Sequence, residues 1–135
     1  MAQIEAPTMR NQVANGTFGD ANSAHAYADL SAAQIGDVVD LVRLPHGTRV
    51  DDVKLVHAAM GATTTLQLGY RYEDVANGAA VANYFLAAAA SSSAGTRRSD
   101  KAPLEFTAPV ILTATVAGAA ATGRIDAVVG YVYRG

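Results

Sequence analysis

GDVVDLVRLPHGTRVDDVKLVHAAMGATTTLQLGYRYE, residues 36–73, is the stretch whose reading decides the fold. Over residues 63–72 the alternation is strict. Thr64, Leu66, Leu68, Tyr70 and Tyr72 point one way, and Thr63, Thr65, Gln67, Gly69 and Arg71 point the other. A period of two built from β-branched and aromatic residues marks a half-buried strand. Upstream, residues 37–44 and 49–58 flank Pro45-His46-Gly47-Thr48. Proline presets φ and glycine accepts φ > 0, so these four residues favour a sharp reversal. The segment predicts three consecutive antiparallel strands. Leu66 and Leu68 are expected on the buried side of a sheet, and Gln67 and Arg71 on the opposite side.

A helix competes for the first of these runs. Ser31-Ala32-Ala33-Gln34 has capping-box spacing, and Val38, Leu41 and Val42 would share a helical face. Against the helix, Gly36 falls in its first turns, the run is short, and valine outweighs leucine and alanine. A strand is the better reading, even though Asp37, Asp40 and Arg43 recur at every third position and blur the alternation.

At 135 residues the chain is long enough for one domain with a real core. Hydrophobic residues make up 50% of it, but alanine supplies much of that share and tryptophan is absent, so the core should be thin and closely spaced. A net charge of −2 argues against a nucleic-acid partner engaged through a broad basic surface. Without cysteine there are no disulfides and no thiolate metal sites. The first residues lack a basic region followed by an apolar one, and no apolar run approaches membrane-spanning length. The expectation is a soluble chain made in the cytoplasm, with no membrane partner.

Residues 1–20 are polar and punctuated by Pro7, Asn15-Gly16 and Gly19. They read as an extended N-terminal arm carrying Ile4 and Met9 as isolated apolar handles, with Val13 and Phe18 in a possible short first strand. Asn15-Gly16-Thr17 matches a glycosylation sequon, but without a secretory signal the Asn-Gly turn is the better reading. Residues 21–135 form the β-sandwich domain. Residues 25–30 suit a short strand, and residues 73–78 a loop closed by Asn77-Gly78. In AAVANYFLAAAA, residues 79–90, Val81, Tyr84, Phe85 and Ala88 stand at helical spacing and predict one short helix over the end of the sandwich. Residues 91–101, SSSAGTRRSDK, read as an exposed flexible loop.

Strands return in the last third. Leu104, Phe106 and Ala108 alternate between Pro103 and Pro109, and Val110, Leu112, Ala114 and Val116 follow. After a loop at residues 118–123, Ile125, Ala127, Val129, Tyr131 and Tyr133 share a face, while Val128 and Val132 make the opposite face apolar as well. That last strand should be central in its sheet or buried against a neighbouring subunit. About eight short strands, with one long excursion between the fifth and sixth, predict an all-β, two-sheet antiparallel sandwich of the jelly-roll type.

Chemistry is sparse. His25, His46 and His57 lack the close spacing of zinc ligands. Asp51-Asp52 and Glu73-Asp74 supply no run of converging oxygens for calcium, and solvated turn acids account for them better. There is no nucleophile elbow, phosphate loop or dinucleotide turn, and Ser91-Ser92-Ser93 sits in the expected flexible loop. No catalytic, metal or cofactor site is expected. Arg97 and Arg98, with Lys101 nearby, form the one concentrated positive patch; it is either a solvated loop or a dock for an acidic surface.

The series GDVVDLVRLPHGTRV, KLVHAAMG, an alternating strand ending LGY, ANYFLAAAA and a last strand containing VVGYV resembles the small cement, or decoration, proteins of tailed-bacteriophage heads, from residue 36 to the C-terminus. The resemblance implies a jelly-roll homo-oligomer, dimer or trimer, on the outside of the capsid, where it clamps adjacent subunits of the major capsid protein. It brings no catalytic residue and no cofactor. Capsid contact is expected through the arm and the basic patch: Ile4, Met9, Phe18, Arg97, Arg98 and Lys101. The leading alternative is a carbohydrate-binding module or the receptor-binding head of a phage fibre. That role needs exposed aromatic rings, whereas Tyr70, Tyr72, Tyr84, Tyr131 and Tyr133 look committed to sheet faces or the helix. A hydrolase would need a nucleophile and a base, and the sequence offers neither.

Overall fold

The structure is a computed structural model that describes residues 3–9 and 21–133. Ten strands account for most of them: β1 Gln3–Glu5, β2 Ala21–Ala33, β3 Val38–Leu44, β4 Thr48–His57, β5 Thr65–Tyr72, β6 Val81–Ala90, β7 Gly95–Arg98, β8 Leu104–Glu105, β9 Val110–Ala117 and β10 Ala121–Tyr133. One sheet has the order β1-β3-β9-β5-β6; the other has β2-β10-β4-β7, with β8 also on β4. Without the short β1 and β8, eight strands remain. They pair first with last, second with seventh, third with sixth and fourth with fifth, and each of these pairs is antiparallel. That connectivity is a long hairpin rolled up on itself, a jelly roll.

Alternation builds the core. Across the first sheet, Val39, Ala114 and Leu68 lie in one inward row, and Val42, Leu112 and Tyr70 in the next. Across the second, Ala26, Ala127 and Leu55 form the matching row. Leu66 and Leu68 are buried, as the pattern over residues 63–72 predicts, while Gln67 and Arg71 stay half-buried on the outer face. Alanine fills many inward positions, including Ala26, Ala28, Ala114, Ala121 and Ala127, in keeping with a core short of large aromatics. β10, apolar on both faces, is central between β2 and β4. The run at residues 38–44 is a strand rather than a helix, and its register slip between Asp40 and Val42 accounts for the blurred alternation there.

Three expectations fail. Residues 81–90 form β6, not a helix; the only helical turn among the described residues is a 3-10 turn at Val75–Asn77, capped by Asp74. Ala-rich sequence favours a helix locally, but without β6 one edge of β5 would have no ladder partner, and the tertiary requirement wins. Gly69 is the trace of this packing. A Cβ there would lie 2.1 Å from the carbonyl oxygen of Val81, so β6 passes directly over it.

The expected flexible loop at residues 91–101 is the second correction. Gly95–Arg98 is a strand on β4, and Ser91 is buried. The Ser91 hydroxyl donates to Thr64 Oγ1 at 2.9 Å, and its N–H donates to the Thr64 carbonyl at 2.9 Å. The long excursion after the fifth predicted strand is therefore two more strands of the roll.

The third concerns residues 3–9 of the expected arm. Gln3–Glu5 runs parallel to Val38–Asp40, and Ala6 and Thr8 are buried. Ile4 packs half-buried against the core rather than standing free. Val13 and Phe18 lie outside the described residues.

Candidate interaction surfaces

A two-sheet roll has two open sides, and each is closed here by a particular device. On the side where β6 faces β7, Arg97 reaches from one sheet to the other. Its Nη1 donates to the Leu66 carbonyl at 2.9 Å and its Nη2 to the Ala87 carbonyl. Burial pushes the Arg97 pKa down, and its partners are neutral carbonyls. Arg98 points outward to Asp52, 2.9 Å away, with both side chains largely in solvent. Lys101 stands 5.8 Å over the Tyr84 ring. These three residues, with Asn83, Phe85 and Asp100, line a groove of about 560 Å³ along this side.

On the other open side, where β2 faces β3, the plug is residues 3–9. Thr8 Oγ1 accepts from the Tyr27 N–H at 3.1 Å and donates to the Leu41 carbonyl at 3.1 Å, joining a strand of each sheet. The Ala6 N–H donates to the Asp40 carbonyl at 2.9 Å, and Gln3 Nε2 donates to Asp40 Oδ1 at 2.8 Å. Asp40 also takes a bidentate fork from Arg71, with Nε to Oδ1 at 3.1 Å and Nη2 to Oδ2 at 2.9 Å. Met9, half-buried, follows directly. The six residues expected to touch a partner are thus not one patch. Ile4 and Met9 lie along the β2/β3 side, Arg97, Arg98 and Lys101 along the β6/β7 side, and Phe18 lies outside the described residues.

The two ends of the roll differ in chemistry. At one end the turns at residues 34–37, 58–64, 91–94 and 118–120 come together through main-chain bonds: Gly36 N–H to Val116, Met60 N–H to Ser91 and Thr122 N–H to Met60. Gly118, at φ 83°, lets the chain pass so close that a Cβ would lie 2.1 Å from the Thr63 carbonyl. The one charged residue in these turns is Asp37, which is buried and accepts from the Gln34 N–H at 2.9 Å; the exposed positions are Ala, Gly, Ser and Thr with Gln34 and Ile35. Ile35 is 61% exposed. The opposite end carries Glu73, Asp74, Asp100, Lys101 and Glu105. Sequence inspection missed the uncharged end because its four turns are far apart in the chain.

Several ionisable groups are held in structural contacts. The ring of buried His57 has its Nδ1 3.0 Å from the Ala58 carbonyl. On the outer face of β2 and β10, His25 Nε2 lies 2.8 Å from Asp126 Oδ1, and Arg124 donates to the same carboxylate while stacking 4.3 Å over Tyr27. Burial raises the Asp126 pKa, but hydrogen bonds from Arg124 and His25 lower it more, and the net shift is downward. Among the described residues, no group of three His, Asp or Glu could hold a metal ion. Tyr70 packs against Tyr72, Tyr84, Phe85 and Phe106, so these rings serve the core rather than a solvent-facing platform.

No family model and no curated protein matches this chain. Solved structures do. A chain from the capsid of Ralstonia phage GP4 superposes with a TM-score of 0.73 at 19% identity, covering 96% of this chain and 97% of that one. A chain from the cyanophage Pam1 capsid asymmetric unit gives 0.69 at 19% identity over 93% and 94%. A chain from the acidic stable capsid structure of Helicobacter pylori bacteriophage KHP30 gives 0.64 at 23% identity over 88% and 92%. The likeness is one of fold, and it extends over nearly the whole of each chain.

Proposed function

We propose that this chain is a non-enzymatic structural protein of a phage virion, sitting on the capsid exterior and holding neighbouring subunits of the major capsid protein together. The observation that carries this reading is the near end-to-end likeness of its roll to chains of three phage capsids. The absence of exposed charge on the turns around Ile35, where the one acid, Asp37, is buried, supports it, because the cores of protein interfaces are depleted in charge. In this reading the uncharged end sits on the capsid, and the protein acts as a homo-oligomer, dimer or trimer. Each copy then needs only a modest contact, since linked contacts to several capsid subunits multiply through effective concentration.

Cosedimentation with heads lacking this protein tests the proposal. The wild-type chain should pellet with them. Ile35→Asp, which places a charge at an exposed position, should stay folded and remain in the supernatant. A carbohydrate-binding or receptor-binding head finds less support, because the tyrosines it would stack sugars on pack against one another.

A further inference from the structure

The eight-strand roll is complete in its ladders without residues 3–9, yet the slot they occupy is built for them. Without the segment, the Tyr27 N–H and the Leu41 carbonyl would both lose Thr8, and the Asp40 carbonyl would lose the Ala6 N–H. The same lining would favour this sequence over another strand. Gln3 reaches the buried Asp40 carboxylate, small Ala6 is buried, and the Thr8 hydroxyl serves as both donor and acceptor.

We infer that this slot is an exchange site, occupied by residues 3–9 of a second copy of the chain. β1 runs parallel to β3, and β2 runs back beside it, so Met9 leaves toward the end of the roll at which Ala21 enters. Thr8 lies against Tyr27, six residues along β2 from Ala21, a distance of roughly 20 Å at strand rise. The eleven residues 10–20 can span at most roughly 36–40 Å. The connection therefore has about twice the reach that return to its own roll requires, enough to deliver the segment to an adjacent one. Exchange keeps every bond in the slot and adds a link between copies, which is the ordinary low-cost route to an oligomer. The inference concerns self-association and stands whether or not the protein binds capsids.

The cysteine-free sequence makes the test clean. Gln3 and Val38 are register partners on neighbouring strands, a spacing that suits a disulfide. Gln3→Cys removes one bond from Asp40 but leaves both bonds from Arg71. Coexpressed single variants, Gln3→Cys and Val38→Cys with one isotopically labelled, should oxidise to a mixed dimer with the 3–38 linkage in its mass spectrum. The double variant should run as covalent dimers or larger species on a non-reducing gel. A double variant that closes only within one chain, or does not close, overturns the inference, as does a coexpressed pair without mixed dimer.

Discussion

Arg97 Nη1 donates to the carbonyl oxygen of Leu66 at 2.9 Å, so a cation on the edge of one sheet completes the hydrogen bonding of a strand inside the other. The bond falls where the β5–β6 register slips, between Leu66 and Leu68, and where the ladder alone leaves that side of the roll open. Removing the side chain leaves the part-buried Leu66 carbonyl without this donor, while the exposed Ala87 carbonyl turns to water. Arg97→Ala should therefore cost about 1–3 kcal/mol in chemical denaturation. Arg98→Ala removes an exposed pair with Asp52 and should cost less than about 0.5 kcal/mol. Equal losses would mean that Arg97 is no tie.

Leu68 is fully buried on β5, between β9 and the edge strand β6. Leu68→Ala should cost about 2–5 kcal/mol, as expected where a packed site relaxes only partly. A loss below about half a kcal/mol would place the inward face of β5 on the wrong side.

Asp126 gives the acid limb of stability a definite sign. Its folded pKa lies below the unfolded value of about 3.9, so its contribution is complete above that value and is lost as pH falls through the folded pKa. Asp126→Asn should flatten the decline in melting temperature below about pH 4 and leave the slope near neutrality unchanged. An unaltered acid slope would show that Arg124 and His25 do not hold the carboxylate as the geometry indicates.

Chelation should change nothing. No three-residue ligand group exists among the described residues, so EDTA should leave the melting temperature where it was. A drop that calcium or zinc reverses would establish a site that this fold does not display.

The roll was legible where one face of a strand is buried. The five alternating positions from Thr64 to Tyr72 and the doubly apolar β10 both took the places their patterns require. β6 was not legible, because alanine repeats fit a helix as well as a strand. The contrary signal lay elsewhere, in Gly69, a glycine inside a clean strand whose missing side chain makes room for a crossing backbone. Arg97 and Arg98 are neighbours of one type, yet one ties the sheets together and the other faces solvent, a difference set by strand alternation that a loop reading hides. The uncharged end could not be read from the sequence, since only the topology gathers its turns.

Electron microscopy of heads assembled with and without this protein tests the central claim most directly. The account predicts jelly-roll density on the outer surface, bridging at least two subunits of the major capsid protein, with the turns around Ile35 against the shell and no such density when the protein is omitted. Identical reconstructions from the two preparations, or density for this chain on a tail fibre instead of the shell, would contradict it.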